Sequence, residues 1–176
     1  MKISLRLLAV ACLAAAWSVR ADTYTWSPTS GTLFQEAANW SPSTGVPGAS
    51  DTAAFSGANT YAVTFNGNVT NAGATIGSPV AGTSAAFDLN GWLWKITGLG
   101  FGTAGTATFG GGALEVSNAV AVNANQKLVL NGGTSVFSKW STSSGGTVEV
   151  GGGTHVLGRL STTDGSTGMT LAAPPS

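Results

Sequence analysis

The sequence predicts an all-β fold, a parallel β-solenoid of about five to six coils of 20–24 residues with an N-terminal aromatic cap. Three observations predict it. Apolar residues recur at a nearly constant spacing of 20 to 21 positions, and the 176 residues include 26 glycines, about twice the usual ~7%. Only 8% of the residues are charged, which is too few for solvated helices. A repeated, turn-dense β chain accounts for all three observations.

The first 21 residues have the pattern of an export signal. Lys2 and Arg6 precede an apolar run at residues 7–17, and Ala21 supplies the small residue that a signal peptidase requires. The run is shorter than the roughly 20 residues that span a bilayer. Cys12, the single cysteine, lies within it. We therefore expect cleavage after Ala21 and an exported chain without disulfides or a membrane-spanning segment.

The charge balance of the remaining chain argues against nucleic acid as a partner. After Ala21 the sequence has four basic residues, Lys95, Lys127, Lys139 and Arg159, against seven acidic ones. Nucleic-acid binding needs a patch of Lys and Arg that neutralises phosphates. Four scattered cations cannot form such a patch.

Residues 22–58 are expected to form a cap on the first coil. This segment carries Trp26, Phe34, Trp40 and Phe55 and three of the six prolines. The first coil of a solenoid exposes backbone edges that would otherwise pair with other chains. Aromatic side chains at this position would cover the apolar end of the column.

The coils are expected to occupy residues 59–176, and the repeat defines each of them. Four anchors are followed two positions later by a glycine suited to positive φ, and seven positions later by a second apolar residue. Each coil is therefore a short strand, a glycine corner and a second short strand. The anchors, in order, are Leu89, Phe109, Leu130, Val150 and a weaker Leu171, with a further copy at Phe65. The glycines are Gly91, Gly111, Gly132 and Gly152, and the second apolar residues are Ile96, Val116, Phe137 and Leu157.

Alternation of apolar and polar residues in these strands buries one face, and stacking at about 4.8 Å gives every strand a parallel partner. The alternative is an antiparallel β-sandwich, whose turns recur at comparable intervals. Its hairpins would not be expected to repeat the same apolar, glycine and apolar positions. The constant period therefore favours the solenoid.

The order of residues in the cap segment resembles the beginning of exported bacterial proteins of the autotransporter-associated β-strand repeat type. The matching residues are Trp26, then Asn39-Trp40, then Pro47-Gly48, then Asp51-Thr52-Ala53-Ala54-Phe55. The resemblance implies a right-handed, passenger-type β-helix that is secreted or held at the surface of a Gram-negative-type bacterium. This sequence departs from the family in having neither a C-terminal membrane barrel nor an apolar sorting tail, and it stops soon after starting another coil. We therefore expect either that the coils are truncated at the C-terminus or that the last coil is left open to a partner.

The residues that catalysis or metal binding would use are sparse. His155 is the only histidine, and with no cysteine after the signal the usual zinc ligand sets are missing. The repeat places His155 in the column of Trp94, Leu114 and Ser135, so we interpret it as a packed or hydrogen-bonded residue. We predict no catalytic, metal-ligating or cofactor-binding residue.

The acidic residues do not form a pair suited to glycoside or polysaccharide chemistry. In the repeat frame, Asp88 and Glu149 share one column with Thr108 and Val129, three coils apart, and the other acids are scattered.

Residues 100–105 satisfy the dinucleotide-binding pattern G-x-G-x-x-G, but strand and turn residues follow where a helix would be required. We interpret that match as a consequence of glycine content.

Three tryptophans are candidates for stacking on a sugar ring. Trp92 and Trp94 share the parity of Ile96, which favours core positions near the cap. Trp140 lies in a polar segment, and residues 138–146 read as a loop, so Trp140 is the better exposed candidate.

The favoured function is that of a non-enzymatic, exported β-solenoid with a structural or adhesive role. The alternative is a non-catalytic carbohydrate-binding module that uses Trp140, Trp92 or Trp94. A third hypothesis is a fragment of a polysaccharide-acting β-helix enzyme whose catalytic acids lie outside this sequence. Surface glycans and other solenoid segments are the partners that these hypotheses leave open.

Overall fold

The computed structural model describes residues 20–28, 31–56, 60–77, 84–142, 145–162 and 169–171. The predicted signal, residues 1–21, therefore lies outside the described residues except for Arg20 and Ala21. Pro79 and Asp164 also lie outside them. A 3₁₀ turn at Ala37–Asn39 accompanies the strands. In chain order the strands are β1 Thr23–Trp26, β2 Trp40–Ser41, β3 Thr52–Phe55, β4 Thr60–Thr64, β5 Val69–Ile76, β6 Ser84–Asp88, β7 Leu93–Phe101, β8 Gly105–Gly110, β9 Ala113–Val122, β10 Gln126–Leu130, β11 Thr134–Thr142, β12 Thr147–Val150, β13 Thr154–Thr162 and β14 Met169–Leu171.

The strands form a β-solenoid of about five turns, which confirms the predicted fold class. The strand order in the eight-stranded sheet is β13-β11-β9-β7-β5-β3-β1-β2, and in the six-stranded sheet it is β14-β12-β10-β8-β6-β4. All pairs of neighbouring strands are parallel except β1 and β2. The chain alternates between the sheets, so each coil adds one strand to each ladder.

The second set of repeat positions stacks as predicted. Ile96 pairs with Val116, Val116 with Phe137, and Phe137 with Leu157. In the first strands of the coils, Phe109 pairs with Leu130 and Leu130 with Val150. The side chain in each of these positions lies over its counterpart in the neighbouring coil.

The predicted pairing of Leu89 with Phe109 is wrong. Phe87 is the partner of Phe109, and their rings stack with centroids 4.8 Å apart and planes 11° apart. The corner after β6 contains two more residues than the later corners, since Phe87 and Trp94 are seven positions apart whereas Phe109 and Leu114 are five. Leu89 is buried within that longer corner. Counting back 20 positions from Phe109 therefore reaches Leu89, which is two positions beyond Phe87, the actual partner.

The glycine corners largely follow the prediction. Gly91, Gly111 and Gly132 have φ values of 83°, 76° and 85°. The prediction is wrong at Gly152, because the positive φ of that corner falls on Gly153, at 109°. Either of the two glycines can adopt this backbone conformation, so sequence alone does not select between them.

The second strands of the coils are longer than predicted, and β11 changes the face that it buries. In β11 the side chains alternate up to Phe137, then Ser138 and Lys139 are both exposed, and Trp140 is buried. The pairing register with β9 shifts between Phe137 and Lys139. The partner strand has one extra residue there, as in a β-bulge, and this irregularity lets one strand bury two successive stretches.

The aromatic cap is present and continues into the core of the column. Its rings meet edge-on, with centroid distances of 4.9 Å for Trp26–Trp40 and 4.8 Å for Phe34–Trp40. Phe55 contacts Phe87 of the second coil at 4.9 Å. Burying an aromatic side chain of this size stabilises a fold by roughly 1.5–3 kcal/mol. The cap is therefore part of the same hydrophobic core as the coils.

Candidate functional site

The three tryptophans proposed for sugar stacking lie in different environments. Trp94 is completely buried, which confirms its expected core position. Trp92 is 40% exposed, which contradicts the same expectation. Trp92 lies in the turn before β7, which begins at Leu93. The alternation of buried and exposed side chains that would place Trp92 on the same face as Trp94 therefore does not extend to it.

Trp140 is only 5% exposed, so the prediction that it is a surface aromatic in a loop is wrong. It belongs to β11 and pairs with Val120 on one side and Leu160 on the other. These three residues are spaced 20 positions apart, so the repeat itself contained the signal. The sequence analysis missed this signal because Lys139 and Ser141, the neighbours of Trp140, are polar. The register shift beside Lys139 also interrupts the alternation of buried and exposed residues along β11.

His155 lies where the repeat places it. It pairs with Ser135, which pairs with Leu114, and Leu114 pairs with Trp94. Its Nε2 atom is 3.0 Å from the carbonyl oxygen of Gly152, so the interpretation as a hydrogen-bonded residue is confirmed. Its Nδ1 atom is buried without a partner among the residues that the structure describes.

The G-x-G-x-x-G match spans a strand, a turn and another strand. Gly100 lies in β7, Gly105 begins β8, and the amide of Gly102 donates to the carbonyl of Ile76 at 2.8 Å. A phosphate site of the dinucleotide-binding type requires a helix after the glycines. The interpretation of this match as incidental is confirmed.

The predicted column of acids is correct in part. Thr108, Val129 and Glu149 pair in succession, but Asp88 pairs with Gly110, for the same reason that Leu89 is displaced. Within the described ranges, no three His, Cys, Asp or Glu residues lie together as a metal site would require.

Among the described residues, two ion pairs cross neighbouring coils on the outside of the column. The Lys127 Nζ to Glu149 Oε1 distance is 2.7 Å, and the Lys95 Nζ to Glu115 Oε2 distance is 3.6 Å. These side chains are one third to one half exposed, so water and salt screen the pairs. The exposure of these two ion pairs is typical of a solvated outer surface that joins neighbouring coils.

The residues that carry the family resemblance build the cap through specific contacts. The side-chain amide of Asn39 donates to the carbonyl of Leu33 at 3.0 Å, and Trp40 Nε1 donates to the carbonyl of Phe34 at 2.7 Å. Asp51 accepts from the amide of Gly48 at 2.8 Å. These bonds hold the loops of the cap segment over the rings that they cover.

Asn71 joins the cap to the coils, and sequence reasoning did not single it out. Its side-chain amide donates to the carbonyls of Pro47 and Gly48 at 2.8 and 3.0 Å, and its Oδ1 accepts from Trp94 Nε1 at 2.8 Å. Asn71 is fully buried. A single asparagine in a strand carries no sequence signal of such a role, because its partners are 23 and 24 positions away.

Trp26 has an unpartnered donor. Its Nε1 atom is buried and has no acceptor among the described residues, whereas the indole donors of Trp40 and Trp94 both have one. Trp26 lines a groove at the first coil with Ser27, Ser41 and other hydroxyl residues. The sequence analysis assigned Trp26 to the cap alone, and nothing in the sequence distinguishes its donor from the other two.

None of the helices in the described part of the chain has the length and apolar character needed to cross a bilayer.

No family model matches the chain, and comparison with curated proteins and with solved structures also finds no match. The described residues form a continuous column, an aromatic cap, one exposed tryptophan and a hydroxyl-rich groove. These features suit display and binding.

Proposed function

We propose that this chain is an exported, non-enzymatic β-solenoid of the passenger type, with a structural or adhesive role at the surface of a Gram-negative-type bacterium. The observation that supports this function most is the closed N-terminal end of the column. There β2 covers β1 in the eight-stranded sheet, and Leu33 bridges to Thr64 of β4 in the six-stranded sheet. A column that starts from a closed end can add coils in one direction only.

The opposite end supports other solenoid segments as partners. Among the described residues, β13 and β14 have no further strand beside them. Leu157 in β13 is half-buried, whereas Phe137 one coil earlier is buried. A further coil with the same spacing would cover the edges of β13 and β14 and the side chain of Leu157.

The mechanism is display. Backbone ladders hold the coils at a fixed spacing, and the outward side chains of successive coils form regular rows on the surface. Many weak contacts made by such rows add up to strong attachment when they engage together. No chemical step is required of any residue.

Export is tested by expressing the full chain with a C-terminal epitope tag in a Gram-negative host. We expect the processed protein outside the cytoplasm with Asp22 as its first residue, because residues 1–21 have the signal pattern. The matched control carries Leu8→Arg, which interrupts the apolar run. It should keep its full mass and stay inside. Retention of the unaltered chain at full mass would overturn the proposal.

The absence of catalysis is tested with the purified protein on pectin, alginate and β-glucans. We expect no release of reducing ends or unsaturated products above a buffer control. Product release that survives repeated purification would support the enzyme-fragment hypothesis instead.

A second candidate function is that of a carbohydrate-binding module, and the exposure of Trp92 favours it. Its indole is available for stacking on a sugar ring, whereas Trp94 and Trp140 are buried. A glycan array probed with the protein and with Trp92→Ala tests it. Binding that disappears in Trp92→Ala identifies this module, and binding that is unchanged excludes Trp92 as the site.

A further inference from the structure

We propose that cleavage after Ala21 creates an ion pair that fastens the start of the cap, in which the new α-ammonium group of Asp22 binds the carboxylate of Asp51. This inference rests on the export step of the proposed function and deepens it. The backbone nitrogen of Asp22 lies 3.0 Å from Asp51 Oδ1. In the uncut chain that nitrogen belongs to a neutral amide. Hydrolysis of the peptide bond by the host's signal peptidase consumes one water and leaves a carboxylate on Ala21 and an ammonium group on Asp22.

Asp22 lies where the chain enters the eight-stranded sheet. The ladder between β1 and β3 begins with the pairing of Thr23 and Thr52, and the carbonyl of Asp22 accepts from the amide of Thr52 at 2.9 Å. Ala21 is exposed and precedes β1. Cleavage after Ala21 therefore leaves a terminus whose position is set by the sheet, whereas most chain termini are poorly held.

Asp51 is held in place to receive this terminus. Its Oδ2 atom accepts from the amide of Gly48 at 2.8 Å, and its backbone carbonyl accepts from the amides of Ala72 and Gly73 at 3.0 and 3.2 Å. The residue is half-buried. Exposed ion pairs are weak partly because two long side chains must be ordered to form them. Here the cation is the backbone itself and the anion is already fixed, so little entropy is lost.

Cleavage supplies a charge that the uncut chain lacks at this point. The two ion pairs within the described ranges use the carboxylates of Glu115 and Glu149, so Asp51 has no Lys or Arg partner there. The ordinary pKa of an α-amino group is ~7.7–8.0, and the group is therefore largely protonated at neutral pH. Hydrogen bonds between two charged groups are among the strongest in proteins.

The ion pair would join three parts of the cap. Asp51 directly precedes β3, its carboxylate holds the loop at Gly48, and Asn71 donates to the carbonyls of Pro47 and Gly48 in the same loop. The ammonium group of Asp22 adds the first residue before β1 to this set. The processed chain should therefore close its N-terminal end more firmly than the precursor, which links maturation to the stability of the cap.

The first test measures the pKa of the α-amino group of Asp22. A fusion protein whose cleavage leaves Asp22 as the first residue supplies the processed chain without export, and it retains every described strand. Competitive acetylation at a series of pH values, followed by mass spectrometry of the N-terminal peptide, gives the pKa. We expect it to lie above the ordinary range, because the Asp51 carboxylate favours the charged form.

Asp51→Asn is the control for this measurement and should return the pKa to the ordinary range. The other residues that hydrogen-bond to Asp51, namely Gly48, Ala72 and Gly73, have no ionisable side chain. The carboxylate of Asp22 itself also lies beside the amino group, but it is present in both proteins. The difference between them therefore reports Asp51 alone.

The second test compares the processed chain with one that begins at Ala21. The longer chain has the same net charge, and Asp22 keeps its amide hydrogen bond to Asp51, but the ammonium group is moved by one residue, about 3.8 Å. We expect the folding equilibrium constant to be about threefold larger for the chain that begins at Asp22. In the Asp51→Asn background the two chains should be equally stable, and 1 M NaCl should reduce the ratio in the unaltered background.

Two results would overturn the ion pair. One is a pKa of the amino group within the ordinary range in the unaltered processed chain, and the other is equal stability of the chains that begin at Ala21 and Asp22. Neither result depends on the folding of Asp51→Asn. Both would leave export intact, whereas a different first residue in the exported protein would overturn the cleavage on which this inference rests.

Discussion

Asn71 shows how one buried polar side chain fixes the position of the cap. Its three hydrogen bonds reach two carbonyls of the loop before β3 and the indole of Trp94 in β7. A buried polar group is stabilising only when its hydrogen-bonding capacity is met. The hydrogen-bonding groups of Asn71 have partners both in the cap segment and in β7. The cap and the first coils are therefore joined by directional hydrogen bonds as well as by apolar packing.

Replacing Asn71 with alanine should destabilise the protein by about 3 kcal/mol, because the donor of Trp94 and two carbonyls lose their buried partner. Asn68→Ala is the control. Asn68 is exposed and its Oδ1 accepts from the backbone amide of Leu93, so its loss should cost about 1 kcal/mol or less. Urea unfolding measures both values. Equal values for the two variants would contradict this role for Asn71.

Adjacent glycines in one corner allow backbone conformation to be separated from close packing. Gly132 and Gly133 both have positive φ, at 85° and 69°. A Cβ at Gly132 meets nothing within 4 Å, whereas a Cβ at Gly133 would overlap the carbonyl oxygen of Gly112 in the preceding coil. The corner of one coil rests directly on the corner of the next.

Gly132→Ala should cost roughly 1–2 kcal/mol, the penalty of a left-handed backbone with a side chain. Gly133→Ala should cost at least ~2 kcal/mol more, because the coils must also move apart. The free energy of unfolding of the two variants, compared by chemical denaturation, gives the difference. If the two penalties were the same, the close approach of the corners would be refuted.

At the scale of elements, β5, β9 and β11 each bury two stretches of side chains, whereas the sequence predicted one short strand at these positions. In β11 the register shift beside Lys139 lies between the two stretches. This shift also changes the spacing between partner residues. Between β9 and β11, partners before the shift are 21 positions apart and partners after it are 20 apart.

The observed burial of two tryptophans is the reverse of what the sequence predicted, and their substitutions should therefore have opposite effects on stability. Trp140→Ala should destabilise the protein by about 3–5 kcal/mol, since it leaves a large cavity between coils. Trp92→Ala should change stability by about 1 kcal/mol or less, because much of that side chain faces water. Guanidinium unfolding curves measure both. A larger loss for Trp92→Ala would show that the two environments are assigned the wrong way round.

At the scale of the whole molecule, stability should be graded along the column. Inner coils have a neighbour on each side, and the cap covers the N-terminal end. In β12 and β13, by contrast, Val150 and Leu157 are only half-buried. In repeat proteins the stability of a unit depends on its own contacts and on those with its nearest neighbours.

Hydrogen exchange followed by mass spectrometry should therefore show the slowest exchange in β5, β7 and β9. The fastest exchange among the strands should be in β13 and β14, because each lies at the end of its sheet opposite the cap and opens by breaking a single ladder. Adding 0.5 M NaCl should leave this order unchanged, since the two described ion pairs are exposed. Uniform protection from β1 to β14 would argue that the column unfolds as one unit.

The sequence by itself determined the fold class, the period of the coils and most of the stacked columns. Hydrophobic residues at a constant spacing can be buried together only when the coils lie in register, so the columns of Ile96 and Phe109 follow from the repeat alone. The aromatic cap was also predictable, because the end of such a column must be covered.

Only the tertiary structure decided where the period is interrupted and which polar atoms find partners. The longer corner after β6 displaces Leu89, and the register shift in β11 buries Trp140 despite its polar neighbours. Likewise, the acceptor of Trp94 and the missing acceptor of Trp26 depend on loops brought together from distant positions. Burial patterns repeat along the chain and can be read from it, whereas a hydrogen bond requires two particular atoms to meet at one distance and angle.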